Sequence, residues 1–452
     1  MPTLSLTPTP ERQSPIRQES LTVLARVDRE APLRAALHAL GASAPSVFAD
    51  PELGIHFARL VVIPKDGDQA DSSVWLAFES NFDTPFSGEV EAQAAHLEAL
   101  SARARDTLAE IFGCCSGFPA AGSPEPAGHL AAYLKAGLVP STASYQGHSH
   151  RSIARIRLER DLREIILTYL ETANGCWREQ LFERVRDHVR ALSKTDPRLA
   201  GLDVDQPAPP LPDPVVRSQH LSEGWAPWIE AGKLKDTLPI LLNLPEALLE
   251  WQKHDAVFDV REHQERWTDA DREAFSAIAR SEDHGTQNAL THVVPLREGS
   301  GRLTVLKHAH ATVNRISQNH FQYIGQLGTI PSIHFAKWLL FESDRRLLFF
   351  SNYDKSWESY LGDFVDRAPE GLNLAWSCTR EYPRTVAFAF EGAKDEETFK
   401  SWTRAYQVPT QFFYSAYTDL TIETINNNTW IRTRLHDAPS AGGLDAWLRR
   451  LT

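Results

Sequence analysis

The chain contains an internal repeat, and this feature constrains its fold more than any other. Aligned blocks recur in the same order: LTVLARV (21–27) with LTHVVPL (290–296), IHFARLVVI (55–63) with IHFAKWLLF (333–341), SNFD (80–83) with SNYD (351–354), Cys114 with Cys378, and Tyr145 with Tyr414. The separations stay between 264 and 278 residues. Self-similarity with so constant a spacing predicts one structural unit that occurs twice.

Each unit reads as an alternation of strands and helices. Three strands are predicted by the runs that begin at 21 and 290, by the IHFA blocks and by the runs that end in SN[FY]D. Amphipathic helices are predicted at 31–40 and 301–316 after the first strand, and at 357–368 after the third, while LNLAWSC (372–378) predicts a fourth strand. This order, βαββαβ, is that of a ferredoxin-like unit. Each unit then continues into a helix, an aromatic strand such as TQFFYSAY (410–417) and a final helix.

The repeat divides the chain into five predicted regions. The two units span 20–170 and 288–436, after a polar, Pro-rich lead that is expected to be disordered (1–19), and they are followed by a tail (437–452). Residues 171–287 form a mostly helical insert, in which 225–251 is rich in Trp, Leu and Pro. That segment is too short and interrupted to span a bilayer. It predicts either a lid packed on the units or an interfacial membrane contact.

Composition excludes several classes of function. The net charge of −12 argues against nucleic acid as the main partner, since phosphate binding needs a basic surface. Four cysteines without a CxxC pair argue against a disulfide framework and structural zinc. Met1 is the only methionine, which excludes a Met-ligated haem. The polar N-terminus lacks the apolar core of a signal peptide, so a cytoplasmic protein is expected, with peripheral membrane contact as an option.

Two ferredoxin-like units in one chain resemble the dimeric α+β barrel superfamily, which includes the dye-decolorizing peroxidases. This resemblance implies an α+β fold in which the two units pack sheet to sheet as an intramolecular pseudo-dimeric barrel. The stretch EDHGTQNALTH (282–292) precedes the first strand of unit two and has no counterpart before unit one. Its Asp283-His284-Gly285-Thr286-Gln287-Asn288 is similar to the Asp-Gly-Thr-x-Asn region of those peroxidases, with a histidine inserted.

The resemblance implies a haem cofactor and a set of residues around it. Asp283 or His284 would take the proton from the inner peroxide oxygen and pass it to the leaving oxygen. The axial ligand of the iron would be His320, in a stretch that lengthens unit two relative to unit one, with His334, His308 and His310 as alternatives. Trp338 would wall the flat cofactor, and Lys337 stands near the position of the family's distal arginine.

Other candidates come from the strand pattern. His292 alternates with Leu290 and Val294, and is expected to point into the barrel as a polar contact. The histidines of the two IHFA blocks, His56 and His334, are expected either to be buried in the sheets or, for His334, to contact a cofactor or substrate. On the strand, His334 should share a face with Ala336, Trp338 and Leu340. Asp83 and Asp354 follow strands and are expected to cap the next helix.

The remaining candidates are polar groups near the predicted cavity. Gln287, Asn288, Tyr414 and Arg432 are candidate substrate contacts, although Arg432 with Asn426–Asn428 fits a solvated helix face equally. The sequence therefore favours a haem peroxidase acting on an apolar substrate, such as a lipid or lipid hydroperoxide. Two alternatives stay open: an α+β-barrel enzyme without haem that uses His292 or His334, and a non-catalytic protein that binds an apolar ligand or a membrane. The oligomeric state is not predicted.

Overall fold

A computed structural model describes most of the chain. The described residues are 16–43, 45–67, 72–119, 126–172, 178–206, 258–262, 268–283, 285–319, 330–386, 388, 390–436 and 441–451. The apolar segment 225–251, the first fifteen residues, His284 and His320 lie outside them, so the predictions made for these stay predictions. Antiparallel sheets combined with helices confirm the α+β class.

The first half builds one run of strands and helices. Its elements are β1 (Arg17–Arg26), α1 (Glu30–Ala42), the 3-10 turns Val47–Ala49 and Pro51–Leu53, β2 (Ile55–Ile63), β3 (Trp75–Thr84), α2 (Glu89–Arg103), α3 (Arg105–Phe112), α4 (Pro126–Ala136), β4 (Ala143–Gln146) and α5 (Ile153–Thr172). The predicted insert opens with α6 (Arg178–Leu192) and the 3-10 turn Pro197–Leu199.

The second half follows a similar order of strands and helices, with additional elements. Its elements are α7 (Asp269–Ser281), β5 (Gln287–Pro295), α8 (Ser300–Asn319), β6 (Ile333–Phe341), β7 (Arg346–Asp354), α9 (Trp357–Arg367), α10 (Pro369–Trp376), the short pair β8 (Thr385–Val386) and β9 (Phe390–Glu391), the 3-10 turn Gly392–Lys394, α11 (Glu396–Ala405), β10 (Phe412–Ser415), α12 (Ile422–Thr433) and α13 (Ala441–Leu451). Among the described helices, none is both long and apolar enough to cross a bilayer.

The two halves exchange their last strands. The sheet orders are β1-β3-β2-β10 and β4-β6-β7-β5, so each sheet takes its edge strand from the other half. Tyr414 of β10 lies opposite Ala58 of β2, and Tyr145 of β4 lies opposite Ala336 of β6. Just before each exchanged strand the chain still touches its own sheet, through the bridges Val23–Leu138 and His292–Gln407.

The faces that the two sheets turn toward each other are filled with side chains. An apolar cluster there includes Val61, Val293, Leu339 and Phe350. Beside it lies a buried ion cluster. The Nε atom of Arg59 lies 2.6 Å from Glu79 Oε2 and the Nζ atom of Lys337 lies 3.3 Å from Glu79 Oε1. Arg59 also donates to the carbonyl oxygen of Leu290 on β5 at 2.7 Å, so the cluster ties the two sheets together.

The segment predicted as the fourth strand is instead a helix. Residues 369–376 form α10, which begins with Pro369 in its first turn. Its buried Leu372, Ala375 and Trp376 recur at intervals of three and four residues, which is a helical period. The last strand of each half comes later in the chain, as β4 and β10. Additional helices lie between the third strand and the last strand of each half, so the chain departs from the simple order βαββαβ.

Helices outside the sheets form a separate apolar cluster. Residues of α5, α6, α12 and α13 pack together there, among them Leu162, Val185, Ile431 and Trp447. The predicted C-terminal tail therefore contains a helix that contributes to a core, and the first part of the predicted insert packs on the same cluster.

Candidate functional site

The stretch that sets unit two apart is a turn that leads into β5. Asp283 is exposed and has a φ of 63°, and its Oδ1 accepts a hydrogen bond from the backbone N–H of Trp357 at 3.0 Å, where α9 begins. Its own N–H donates to Asn288 Oδ1 at 3.2 Å, and Asn288 Nδ2 donates to the carbonyl oxygen of Lys355 at 2.7 Å. Both side chains thus fasten the turn to the start of α9.

Glu282, next to Asp283, is part of a buried polar group. Its Oε2 accepts from Arg404 at 2.7 Å, and its Oε1 accepts from the side chain of Gln407. Burial raises the pKa of Glu282, and the adjacent Arg404 opposes this shift. The guanidinium of Arg404 lies 3.7 Å above the ring of Trp357. The acid of this stretch that is sheltered from water is therefore Glu282, paired with Arg404, and not Asp283.

His292 lies on the helix-facing side of β5. Leu290 and Val294 share its face and belong to the core under the helices, as the alternation predicted. The expectation that His292 points between the two sheets is wrong, because Thr291 and Val293 occupy that side. Thr291 Oγ1 lies 3.4 Å from Arg59 of the first sheet, and Val293 belongs to the cluster between the sheets.

A small cavity borders His292. It lies between β5 and β7 on one side and α9, α10 and α11 on the other, and its lining residues are Leu290, His292, Phe349, Leu361, Phe364, Leu372, Trp376, Phe399, Trp402 and Thr403. The centre of a water molecule fits into only about 20 Å³ of the space between these side chains. The cavity is therefore narrow, and all its lining residues are apolar or aromatic except His292 and Thr403.

The imidazole of His292 is neutral and buried among aromatic rings. Its centroid lies 4.8 Å from that of Trp402 and 6.4 Å from that of Trp376. The side chain is 2% exposed, and burial lowers the pKa of His292 to about 3. Its Nε2 atom has no hydrogen-bond partner within the described part of the protein. A buried polar atom without a partner costs about 1–3 kcal/mol, so this nitrogen is disfavoured unless a ligand or solvent satisfies it.

Three other histidines meet where the exchanged strands end. His56 Nε2 lies 2.8 Å from Asp83 Oδ1, and His334 Nε2 lies 2.7 Å from Asp354 Oδ1. The hydroxyl of Tyr417 is 2.8 Å from His56 Nδ1 and 2.9 Å from His148 Nε2. The three histidines are fully buried. Burial, together with the neighbouring charges of His56, His334 and Arg151, holds the pKa of His148 well below its ordinary value.

These contacts join helices to sheets. Asp83 Oδ2 accepts from the N–H of Ile153 at 2.9 Å, and Asp354 Oδ2 accepts from the N–H of Ile422 at 2.8 Å. The capping role predicted for the two aspartates is therefore present, but the capped helices are α5 and α12, which follow the exchanged strands. Of the next helices after the aspartates, α9 is capped by the side chain of Ser356, whereas α2 has no side-chain cap. We interpret this central cluster as a structural junction, because its rings are closed to solvent.

His334 does not share a face with the residues predicted for it. A register shift between Ile333 and Phe335 interrupts the pairing of β6 with β7. The ring of His334 contacts Phe57 and Tyr417, at centroid distances of 5.2 and 6.1 Å, whereas Ala336 and Trp338 lie in the core under the helices. The bulge explains the difference, because an extra residue reverses the alternation of side chains.

The histidines of α8 are held by local contacts. His310 is buried, with its Nδ1 atom 2.7 Å from Thr142 Oγ1 and its Nε2 atom 3.2 Å from the carbonyl oxygen of Ala375. His308 is half-buried, and its Nδ1 lies 2.7 Å from the carbonyl oxygen of Thr304. Burial lowers the pKa of both, to about 4 for His310. Trp338 is buried beside this helix, 6.1 Å from the ring of His310.

The predicted substrate contacts do not converge on the cavity. Gln287 Nε2 donates to the carbonyl oxygens of Tyr417 and Leu420, at 3.0 and 2.6 Å. Tyr414 packs against the core of the first half. Arg432 is buried, with its Nη1 atom 3.4 Å from Glu159 Oε1, so this face of α12 is not the solvated surface considered from the sequence.

Three of the candidate axial ligands lie among the described residues, and each makes contacts within the protein. The ring of His334 is enclosed, both ring nitrogens of His310 have partners, and His308 Nδ1 lies 2.7 Å from the carbonyl oxygen of Thr304. Within the described ranges, no group of three or more His, Cys, Asp or Glu side chains is placed to hold a metal ion. His284 and His320 lie outside these ranges, so the haem roles predicted for them stay predictions.

Comparison with known proteins gives no relative for this chain. No family model, no curated protein and no solved structure matches it.

Proposed function

We propose that this chain binds a very small apolar molecule in the cavity of the second half, against the ring of His292. One observation carries the proposal: a buried neutral imidazole borders a cavity whose other lining residues are almost all apolar. Apolar walls with a few placed polar groups are typical of small-molecule sites.

The repeat supports a ligand role for His292. The aligned residue of the first half is Val23, which is fully buried in the corresponding core. The fold therefore accepts an apolar side chain at this position, and the imidazole has a role beyond packing.

Binding is favoured over acid–base catalysis by the charge state of His292. An efficient general base has a pKa near the working pH. Burial lowers the pKa of His292 to about 3, which makes it a weak base but leaves it a good hydrogen-bonding group. The alternative from the sequence, an enzyme without haem that uses a barrel histidine, would need a ligand that raises this pKa.

We also propose that the two halves are ferredoxin-like units which form an intramolecular α+β barrel. The exchange of β4 and β10 between the sheets supports this, because it links the two sheets at both edges. The matched pairs His56–Asp83 and His334–Asp354 support it as well, since aligned residues make equivalent contacts in both halves.

Binding of xenon tests the proposed function, because a single apolar atom suits so small an apolar cavity. We expect the full chain to bind xenon measurably by xenon NMR, and we expect Leu372→Phe, which places a larger side chain at the cavity wall, to abolish this binding. Leu108→Phe is the matched control, because Leu108 is the aligned residue on α3 and is buried in the other core. Circular dichroism would establish that both variants fold. Equal xenon binding by the two variants would place the site elsewhere and overturn the proposal.

A further inference from the structure

Four side chains of the central junction form a continuous chain of hydrogen bonds. It runs from Asp83 of β3 to His56 of β2 and on to the hydroxyl of Tyr417, which follows β10. The same hydroxyl contacts Nε2 of His148, which precedes α5. Each of the three contacts is 2.8 to 2.9 Å long. The chain therefore joins residues of both halves in three steps.

The hydrogens of this chain have one consistent arrangement when both imidazoles are neutral. The carboxylate of Asp83 only accepts, so the hydrogen of His56 lies on Nε2, and its Nδ1 accepts from the hydroxyl of Tyr417. That hydroxyl has a single hydrogen, so its oxygen accepts from Nε2 of His148. All the bonds thus point from His148 toward Asp83.

The amide of Gln18 agrees with this arrangement. Its Nε2 atom donates to the carbonyl oxygen of Arg151 at 2.7 Å, which fixes the orientation of the amide, because a carbonyl oxygen only accepts. The second hydrogen of this nitrogen is donated to Nδ1 of His148 at 3.0 Å. The nitrogen also lies 3.3 Å from Nε2 of His56, but both atoms carry hydrogen, so this contact is not a hydrogen bond. The tautomer of His148 is thus set from both ends of the chain.

We propose that this chain is a proton-sensitive switch, in which Asp83 and His56 set the tautomer of His148. In the acid form the imidazole of His56 carries two hydrogens and its charge is held by Asp83. Counted over the chain, one proton is taken up. The hydroxyl hydrogen of Tyr417 moves to His56, the hydroxyl takes the hydrogen from Nε2 of His148, and the proton from solvent ends on Nδ1 of His148.

The reversed chain disturbs the start of α5. The hydrogen on Nδ1 of His148 now meets the amide nitrogen of Gln18, and two donors cannot bond to each other. The amide therefore turns its oxygen toward His148, and the carbonyl oxygen of Arg151 loses the hydrogen bond from Gln18. A proton held beside β3 thus changes a contact in front of α5.

The surroundings of the two imidazoles decide which of them becomes charged. The titratable or charged groups that face them are Asp83 of β3, His334 of β6 with its partner Asp354, Tyr417 after β10 and Arg151 before α5. His56 contacts a carboxylate, whereas His148 contacts none within the described ranges. Burial, with the charges of His56, His334 and Arg151, holds the pKa of His148 well below its ordinary value. His148 therefore stays neutral and changes only its tautomer.

The equivalent pair of the second half is not connected to the chain. His334 contacts Asp354 as His56 contacts Asp83, but Nδ1 of His334 has no hydrogen-bond partner in the part of the chain that the structure describes. The residue aligned with Tyr417 is His148, whose ring meets that of His334 at 70° with the centroids 5.5 Å apart. A change at Asp354 can therefore alter His334 without reversing the chain.

The tautomers of the histidines, measured by 15N NMR, test the proposal. In the full chain at about pH 8, above the range in which histidine titrates, we expect the hydrogens of His56 and His148 on Nε2. Asp83→Asn keeps an oxygen for the N–H of Ile153, so its amide nitrogen faces His56 and donates to it. The chain is then reversed without any added proton, and the hydrogen of His148 should move to Nδ1.

Asp354→Asn is the matched control. Asp354 caps α12 through the N–H of Ile422, as Asp83 caps α5, so both variants lose a charge at equivalent helix starts. Asp354→Asn should change the tautomer of His334 and leave that of His148 unaltered. If His148 keeps its tautomer in Asp83→Asn, or changes it in both variants, the directed chain is wrong.

A titration of the unaltered chain tests the switch without relying on any variant. Between about pH 8 and 5, the hydrogen of His148 should move to Nδ1 in step with the charging of His56. The protection of backbone N–H groups at the start of α5 from hydrogen exchange should fall about fivefold, as expected for one lost hydrogen bond. Tyr417→Phe should uncouple His148 from His56. The switch is overturned if His56 stays neutral, if His148 itself becomes charged, or if His148 keeps its tautomer.

Discussion

The helix-facing cores of the two halves differ in polarity at aligned positions. The first half has Val23, Leu60, Phe82 and Phe112 where the second has His292, Trp338, Tyr353 and Trp376. Each of these four second-half residues holds a buried nitrogen or oxygen with no hydrogen-bond partner in the described protein. The apolar half shows what the fold itself requires. The polar atoms of the other half are additional to this requirement.

At the central junction, in contrast, the aligned histidine–aspartate pairs of the two halves are the same. His56 with Asp83 and His334 with Asp354 are equivalent in the two halves, and each aspartate also caps a helix. Residues that both halves retain thus join the strands to the helices, whereas two of the four polar residues that the second half alone carries, His292 and Trp376, line the cavity. Four changes test this division.

The largest effect is expected at the ion cluster between the sheets, where the halves differ in charge. Glu79 aligns with Phe350, and its carboxylate contacts the two cations Arg59 and Lys337. Glu79→Gln removes the ion partner of the buried Arg59 and the larger of two carboxylate interactions of Lys337, the other being with Glu19, and should lower the free energy of unfolding by about 3–5 kcal/mol. Urea denaturation measures the change, with Glu91→Gln at an exposed site as control. A loss below about 1 kcal/mol would mean that other groups neutralise the cluster.

Exchanging the aligned residues Val23 and His292 should have unequal effects. Val23→His adds a polar group and extra volume to an apolar core, and should cost about 2–4 kcal/mol. His292→Val removes a buried atom without a partner and should change the free energy of unfolding by less than about 1 kcal/mol. Thermal denaturation of both variants measures this. Comparable losses in the two would show that the fold of the second half depends on the imidazole.

A smaller loss is expected when the junction loses one hydroxyl. Tyr417→Phe removes contacts to His56 and His148 and leaves two buried imidazoles without that partner. The free energy of unfolding should fall by about 1–3 kcal/mol. Tyr414→Phe, three residues earlier and half-buried, should change it by less than about 0.5 kcal/mol. If the two variants lose the same amount, the junction contributes no more than an ordinary strand residue.

The smallest effect is expected from the buried histidines, as a change in how the free energy of unfolding depends on pH. Burial lowers the pKa of both His96 and His292 to about 3, from about 6.5 in an unfolded chain. The stability each contributes is present above pH 6.5 and is lost as the pH falls toward 3, by up to about 1.4 kcal/mol per pH unit. His292→Val and His96→Val should each make the dependence of unfolding free energy on pH shallower by about that slope between pH 6 and 4. An unchanged slope would mean that the imidazole is already protonated in the folded protein.

Much of the local structure follows from the sequence. The repeat and the apolar runs predict the three long strands of each half. The prediction that Asp83 and Asp354 cap helices is confirmed, but the prediction that these are the next helices in the chain is wrong. The strand predicted at α10 is wrong, because a short, mostly apolar run fits either period, although the preceding Pro369 favours the start of a helix. Alternation placed His292 correctly with Leu290, but alternation alone does not say which side of a sheet faces the helices.

The exchange of strands could not be derived in this way. Which edge a strand joins depends on contacts between distant parts of the chain. The local sequence pattern of β4 and β10 is equally compatible with pairing to a strand of their own half. The polarity of the second core, in contrast, can be predicted from the sequence. The alignment of the repeat pairs Phe112 with Trp376 and Val23 with His292, and so identifies two cavity residues at which the halves differ. Trp376 was not among the predicted site residues, because an indole carries no acid, base or metal ligand and its segment is predicted to be a strand.

The exchanged strand β10 also limits when the protein can fold. The edge of β2 is covered by residues that follow it by about 350 positions, and at the usual pace of protein synthesis the ribosome needs roughly 20–70 s to make them. Until then the first sheet leaves the ribosome with one edge open, and an open edge is a site of aggregation. The first half is therefore expected to need protection by chaperones during its own synthesis, and to complete its sheet only once nearly the whole chain has been made.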